Sequence, residues 1–88
     1  MIEGKTKSGF EFKLDEEVFN DYELLEALRE VDAGDGSAIV DVINRMLDET
    51  QRKALKNHLR NEKGRVGARE MIAEVAEIME ASKDGKNS

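Results

Sequence analysis

From Leu24 to Met79, apolar side chains recur every three or four positions; before that stretch they alternate. Phe10, Phe12 and Leu14 are interleaved with Glu11 and Lys13, the period of a half-buried strand. This change of period, from two to 3.6, divides the chain into a short β part followed by a long helical part. Proline is absent, so no helix is interrupted by ring sterics, and punctuation falls to glycine, asparagine and aspartate. The expected fold is mainly α within the α+β class: an N-terminal β-hairpin followed by four short helices.

The boundaries follow from caps and turns. Lys7-Ser8-Gly9 supplies a turn that folds residues 1–14 into a hairpin, with Ile2 to Thr6 pairing back on the alternating strand. An isolated hairpin is marginal in water, so its Phe10/Phe12 face is expected to lie on the helices. A first helix is expected at about 20–33, with Asn20 as cap, Glu23 as capping-box partner, Phe19 stapled onto Leu24, and Gly34 as a left-handed stop. Asp35 or Ser37 begins a second helix, 37–47, whose Ile39, Val40, Ile43, Met46 and Leu47 form the strongest apolar stripe. Asp48 and Gln51 repeat the capping-box pattern for a third helix, 49–61, with Leu55 and Leu59 as its main apolar residues. A polar loop with two glycines then leads to a fourth helix, 68–81, facing inward through Met71, Ile72, Val75, Ile78 and Met79. Residues 1–81 read as one domain and 82–88 as a flexible polar tail.

Composition narrows the function. With 88 residues, no cysteine and one histidine, the chain has no disulfide, thiolate nucleophile or histidine-rich metal centre to draw on. A domain this small buries a modest fraction of its unfolded surface, so self-association is expected to add stability. Charged residues make up 39% of the sequence, and no apolar run reaches the ~20 residues needed to span a bilayer. The first five residues lack the apolar core of a secretory signal, which leads to the expectation of a soluble, cytoplasmic domain.

Catalytic patterns are weak. Nothing in the sequence ties one of the serines to His58, which lies between Leu55 and Leu59 as a boundary residue would. The carboxylates of Glu70, Glu74 and Glu77 have the spacing of a solvated helix face. Asp32-Ala33-Gly34-Asp35-Gly36 fails as a calcium loop, because its third and fifth positions are glycine and its twelfth is Ile43. Neither a catalytic residue, a cofactor nor a metal is expected.

Charge is distributed unevenly. The net charge is −6, and residues 1–33 account for it with ten acids against four bases. Residues 52–69 oppose seven bases, Arg52, Lys53, Lys56, Arg60, Lys63, Arg65 and Arg69, to Glu62 alone. Arg52, Lys56, Arg60 and Lys63 line one side of a helix. The stripe can pair with Glu70, Glu74 and Glu77, dock on the acidic part of another copy or an acidic partner, or meet nucleic-acid phosphates. The acidic balance and the lack of aromatics near the stripe disfavour nucleic acid.

Three segments carry a family resemblance. The opening Gly4-Lys5-Thr6-Lys7-Ser8-Gly9-Phe10-Glu11-Phe12 comes first. Asn20 to Leu28, with Val31-Asp32, comes second, and Gln51 to Arg60, with Gly64-Arg65-Val66, third. In this order they resemble the small tail assembly chaperones of long-tailed bacteriophages, chiefly those of Gram-positive hosts, over residues 1 to about 81. The resemblance implies a non-enzymatic protein of the host bacterial cytoplasm, absent from the mature virion. Such a protein binds the tape measure protein and helps recruit tail tube subunits. The alternative is a small phage regulator binding nucleic acid through the basic third helix. For a chaperone, partner binding is expected at apolar side chains beside the basic stripe, which singles out Arg52, Leu55, Lys56, Leu59, Arg60 and Lys63. The resemblance also implies a longer frameshifted product, and Gly85-Lys86-Asn87, where encoded GGA-AAA-AAY, contains an A-AAA-AAY run on which tRNAs can slip.

Overall fold

The alternating N-terminal segment forms two antiparallel strands, β1 (Ile2–Lys5) and β2 (Glu11–Leu14), in the register Ile2 to Leu14 and Gly4 to Phe12. This computed structural model describes residues 1–85. Thr6 N–H donates to Phe10 C=O and Gly9 N–H to Thr6 C=O, and Gly9 takes the positive φ of 98° that this turn requires. Phe10, Phe12 and Leu14 are buried against the helices, as their alternation demands. Phe12 lies across Gly4, where an added Cβ would stand 2.7 Å from the ring, so this strand position accepts no side chain.

Four helices follow: α1 (Tyr22–Asp32), α2 (Ile39–Met46), α3 (Glu49–Leu59) and α4 (Ala68–Gly85). The first start differs from the expected one. A one-turn 3₁₀ helix at Glu16–Asn20, capped by Asp15, absorbs Asn20, and the Asp21 carboxylate accepts from Glu23 N–H and Leu24 N–H instead. At the other end Gly34, with φ of 109°, donates to Val31 C=O while Asp35 N–H reaches Glu30 C=O, a Schellman stop. Asp35 then caps a 3₁₀ turn at Gly36–Ala38 that feeds α2.

Asp48 caps α3 by accepting from Gln51 N–H, as expected, but the Gln51 side chain does not turn back to complete a capping box. It bonds the backbone of Lys13 twice, accepting from its N–H and donating to its C=O, each at 2.7 Å, along the outer edge of β2. After α3, Asn61 organises a tight turn: its side chain accepts from Lys63 N–H and Arg65 N–H, and Gly64 takes a φ of 81°. The last helix runs past the expected end at 81. Ser82 is buried and donates to the carbonyls of Ile78 and Met79, which satisfies its hydroxyl inside the helix and lets it continue. Residues 82–85 are therefore helical rather than tail, and 86–88, with the codon run's Lys86 and Asn87, lie outside the described residues.

One apolar cluster draws on both strands and all four α-helices, with Phe12, Leu14, Leu24, Val42, Leu55 and Ile78 fully buried. Each such side chain stabilises the fold by about 1.5–3 kcal/mol relative to exposure.

Candidate functional site

α3 carries few apolar residues, so one narrow face enters the core and the rest of the helix is free to present polar groups in other directions. Leu55, at 0% exposure, and Leu59, half-buried, form that inner face. Leu55 is therefore a core residue and not a contact for a partner, because a γ-branched side chain this deep offers no surface. Toward the hairpin, α3 sends Gln51 and His58. Toward α2 and the start of α4 it sends Arg52 and Lys56, which rim a cleft of about 260 Å³ floored by Ile43, Val66 and Met71. Val40, on the cleft wall, is 62% exposed, an unusual position for a valine in the strongest apolar stripe of the chain.

The cations around this cleft are not neutralised by the acids of α4. Arg52 donates to Leu47 C=O at 2.7 Å and Arg60 to Gly64 C=O at 2.8 Å, contacts that tie down the guanidinium groups and leave their charge. Among the described residues, no ion pair engages Arg52, Lys53, Lys56, Arg60, Lys63, Arg65 or Arg69. Arg52 and Lys56 thus share the cleft, whereas Arg60 and Lys63 belong to the turn that follows α3.

Of the three acids expected to face water or the basic stripe, Glu70 is exposed, whereas Glu74 and Glu77 hold the hairpin. Glu74 is only 4% exposed; its carboxylate accepts from Thr6 Oγ1 at 2.6 Å and from Ser8 Oγ at 2.8 Å. Glu77 accepts from Lys7 N–H at 2.7 Å. Ser8 Oγ also lies 2.9 Å from His58 Nε2, and the His58 ring rests on Phe10 with centroids 5.6 Å apart. A serine is thus joined to His58, a pairing the sequence did not disclose, since the two are fifty residues apart. The geometry is not that of a nucleophilic triad. The Glu74 carboxylate accepts the Ser8 hydroxyl directly, and among the described residues no carboxylate bonds His58 Nδ1, where an orienting acid would have to sit. With Ser8 donating to Glu74, its oxygen accepts from Nε2–H, and the chain of bonds fastens α3, the turn and α4 together. Among the described residues, no group of three metal-ligating side chains is assembled.

A separate junction joins α1 to α2. Arg45 meets Asp21, Glu23 and Asp41, each at 3.3 Å. The Leu24 N–H bond, helped by Arg45, holds the Asp21 carboxyl below its ordinary value of 3.8. Tyr22 and Leu25 stand three residues apart on the same helix, 72% and 51% exposed.

These features define a mainly α domain with a small β part, whose open apolar cleft lies beside unpaired bases. No described helix is long and apolar enough to cross a membrane. Comparison with protein-family models, with curated proteins and with solved structures found no match to the chain.

Proposed function

We propose that this chain is a tail assembly chaperone of a long-tailed phage or prophage. It binds helical segments of the tape measure protein in the host cytoplasm, helps recruit tail tube subunits, and leaves before the virion matures. It performs no catalysis. The family resemblance of residues 1–81 motivates the reading, and the observation that carries it is the cleft. An apolar floor with Val40 open to solvent, rimmed by Arg52 and Lys56, suits an amphipathic client helix with acidic flanks.

Co-expression of the chain with a tagged tape measure protein tests this. Val40→Asp combined with Lys56→Glu alters exposed side chains and leaves the core intact. Capture is expected to fall by roughly tenfold or more, the effect of removing about 1.4 kcal/mol from the contact. Undiminished capture by the folded variant would count against the cleft. A second reading, a nucleic-acid-binding regulator, draws on the unpaired Lys53, Lys56, Lys63, Arg65 and Arg69. Retention on DNA that weakens steeply with salt would favour it over the chaperone.

A further inference from the structure

A second groove, of about 380 Å³, lies between the C-terminal half of α1 and α4. Four large apolar side chains line it, Leu28, Val31, Ile72 and Met79, each half-buried because the core takes one side of it and the groove the other. Leu25, 51% exposed, precedes Leu28 by three residues and Asp32 by seven, so it continues their stripe along α1. Among the described residues, the charged ones lining the groove are Asp32 and Glu80, both acids. The helices that form its walls, residues 22–32 and 68–85, together hold nine acids against three bases, and neither Arg29 nor Arg69 lines it. The basic cleft is a different surface. Among the described residues, only Ile39, which is buried, lines both.

We propose that this groove docks an α-helical segment of another protein, one whose apolar stripe is flanked by lysine or arginine. The walls are helices and offer no strand edge, so the occupant has to satisfy its own backbone groups, as a helix does. Its apolar side chains, at helical spacing, cover Leu28, Ile72 and Met79 and, further along α1, Leu25; this burial supplies the attraction. Its cations beside that stripe meet Asp32 and the acidic surroundings, which select the partner and speed the encounter. Another copy of this chain does not fit the description. Its basic helix, α3, turns both of its large apolar residues, Leu55 and Leu59, to its own core and has no stripe left to insert. The proposal goes beyond the chaperone reading and does not depend on it: the groove and the basic cleft are opposite in sign, and each can fail its test without the other.

Two synthetic amphipathic helical peptides serve as probes, sharing one leucine stripe and differing only in whether lysine or glutamate flanks it. Fluorescence anisotropy of the labelled peptides is expected to show the lysine peptide binding roughly tenfold tighter or more at low salt, with the preference shrinking in molar salt. Amide resonances that shift on its addition are expected to cluster at Leu25, Leu28, Ile72 and Met79. Leu25→Ser with Asp32→Lys alters two exposed positions, and circular dichroism verifies the fold. This variant is expected to lose roughly tenfold in affinity for the lysine peptide. Val40→Ser, in the basic cleft, is expected to keep the wild-type affinity. Equal binding of the two peptides, shifts that cluster at Val40 and Met71, or wild-type affinity in the groove variant overturns the proposal. So do groove resonances that shift with the chain's own concentration and not with peptide, a result that would assign the groove to a second copy.

Discussion

At the scale of single residues, Glu74 shows how burial changes what a carboxylate can do. Its charge lies within the fold and is met by two hydroxyls, Thr6 and Ser8, rather than by a cation. Thr6→Val keeps the shape and removes the buried hydroxyl, which also accepts from Phe10 N–H. The expected cost is about 1–3 kcal/mol, read as a fall in melting temperature of several degrees. Ser8→Ala is expected to cost less, because Ser8 is exposed and water can replace it. Equal losses in the two variants would show that burial does not govern the bond. In the sequence Glu74 reads as part of a solvated helix face and Ser82 as part of a polar tail, whereas both are buried on the inward stripe of Met71, Val75 and Ile78. Their partners were not legible, because Thr6 and Glu74 are 68 residues apart and no local rule joins them. The basic residues followed the same logic. Periodicity placed Arg52 and Lys56 on one side of a helix, yet only the packing of α2 against α3 and α4 makes a cleft there.

At the scale of elements, helix starts depend on which of two adjacent caps the preceding turn selects. Asn20 and Asp21 are both good caps, and the 3₁₀ turn begun by Asp15 places Asp21 at the helix entrance. Because its folded carboxyl titrates below 3.8, this group stabilises the fold fully above that value. Its contribution is lost as pH falls below 3.8 through the lower folded value. Asp21→Asn retains a cap without the charge. Thermal melts from pH 6 to pH 2 are expected to show wild type more stable than the variant near neutrality, with the gap closing only in acid. A gap that does not change with pH would show that the carboxylate charge at this helix start adds nothing.

For the whole molecule, the hairpin and the helices share one core, so they are expected to unfold together. Leu55→Ala removes a fully buried side chain where α3 meets that core, at a cost of about 2–5 kcal/mol. Urea unfolding followed by far-ultraviolet dichroism and by the ring resonances of Phe12 should give coincident transitions at a lower midpoint. A hairpin that outlasts the helices would separate the two. The fold class and the order of elements were legible from the two periods and the caps. The assignment of Leu55 was not. A helix with few apolar residues can seem to expose those it has, whereas α3 commits Leu55 wholly to the interior and fills its other sides with charge.

Gln51 has a consequence for a population of these molecules. An unpaired strand edge is a template on which other chains add by backbone pairing, the first step toward fibrils. By bonding both the N–H and the C=O of Lys13, one side-chain amide stands where the next strand would otherwise begin. Gln51→Leu keeps the helix and opens that edge. Concentrated solutions of the variant are expected to develop thioflavin-positive aggregates sooner than wild type, and equal lag times would show that the amide is not the guard.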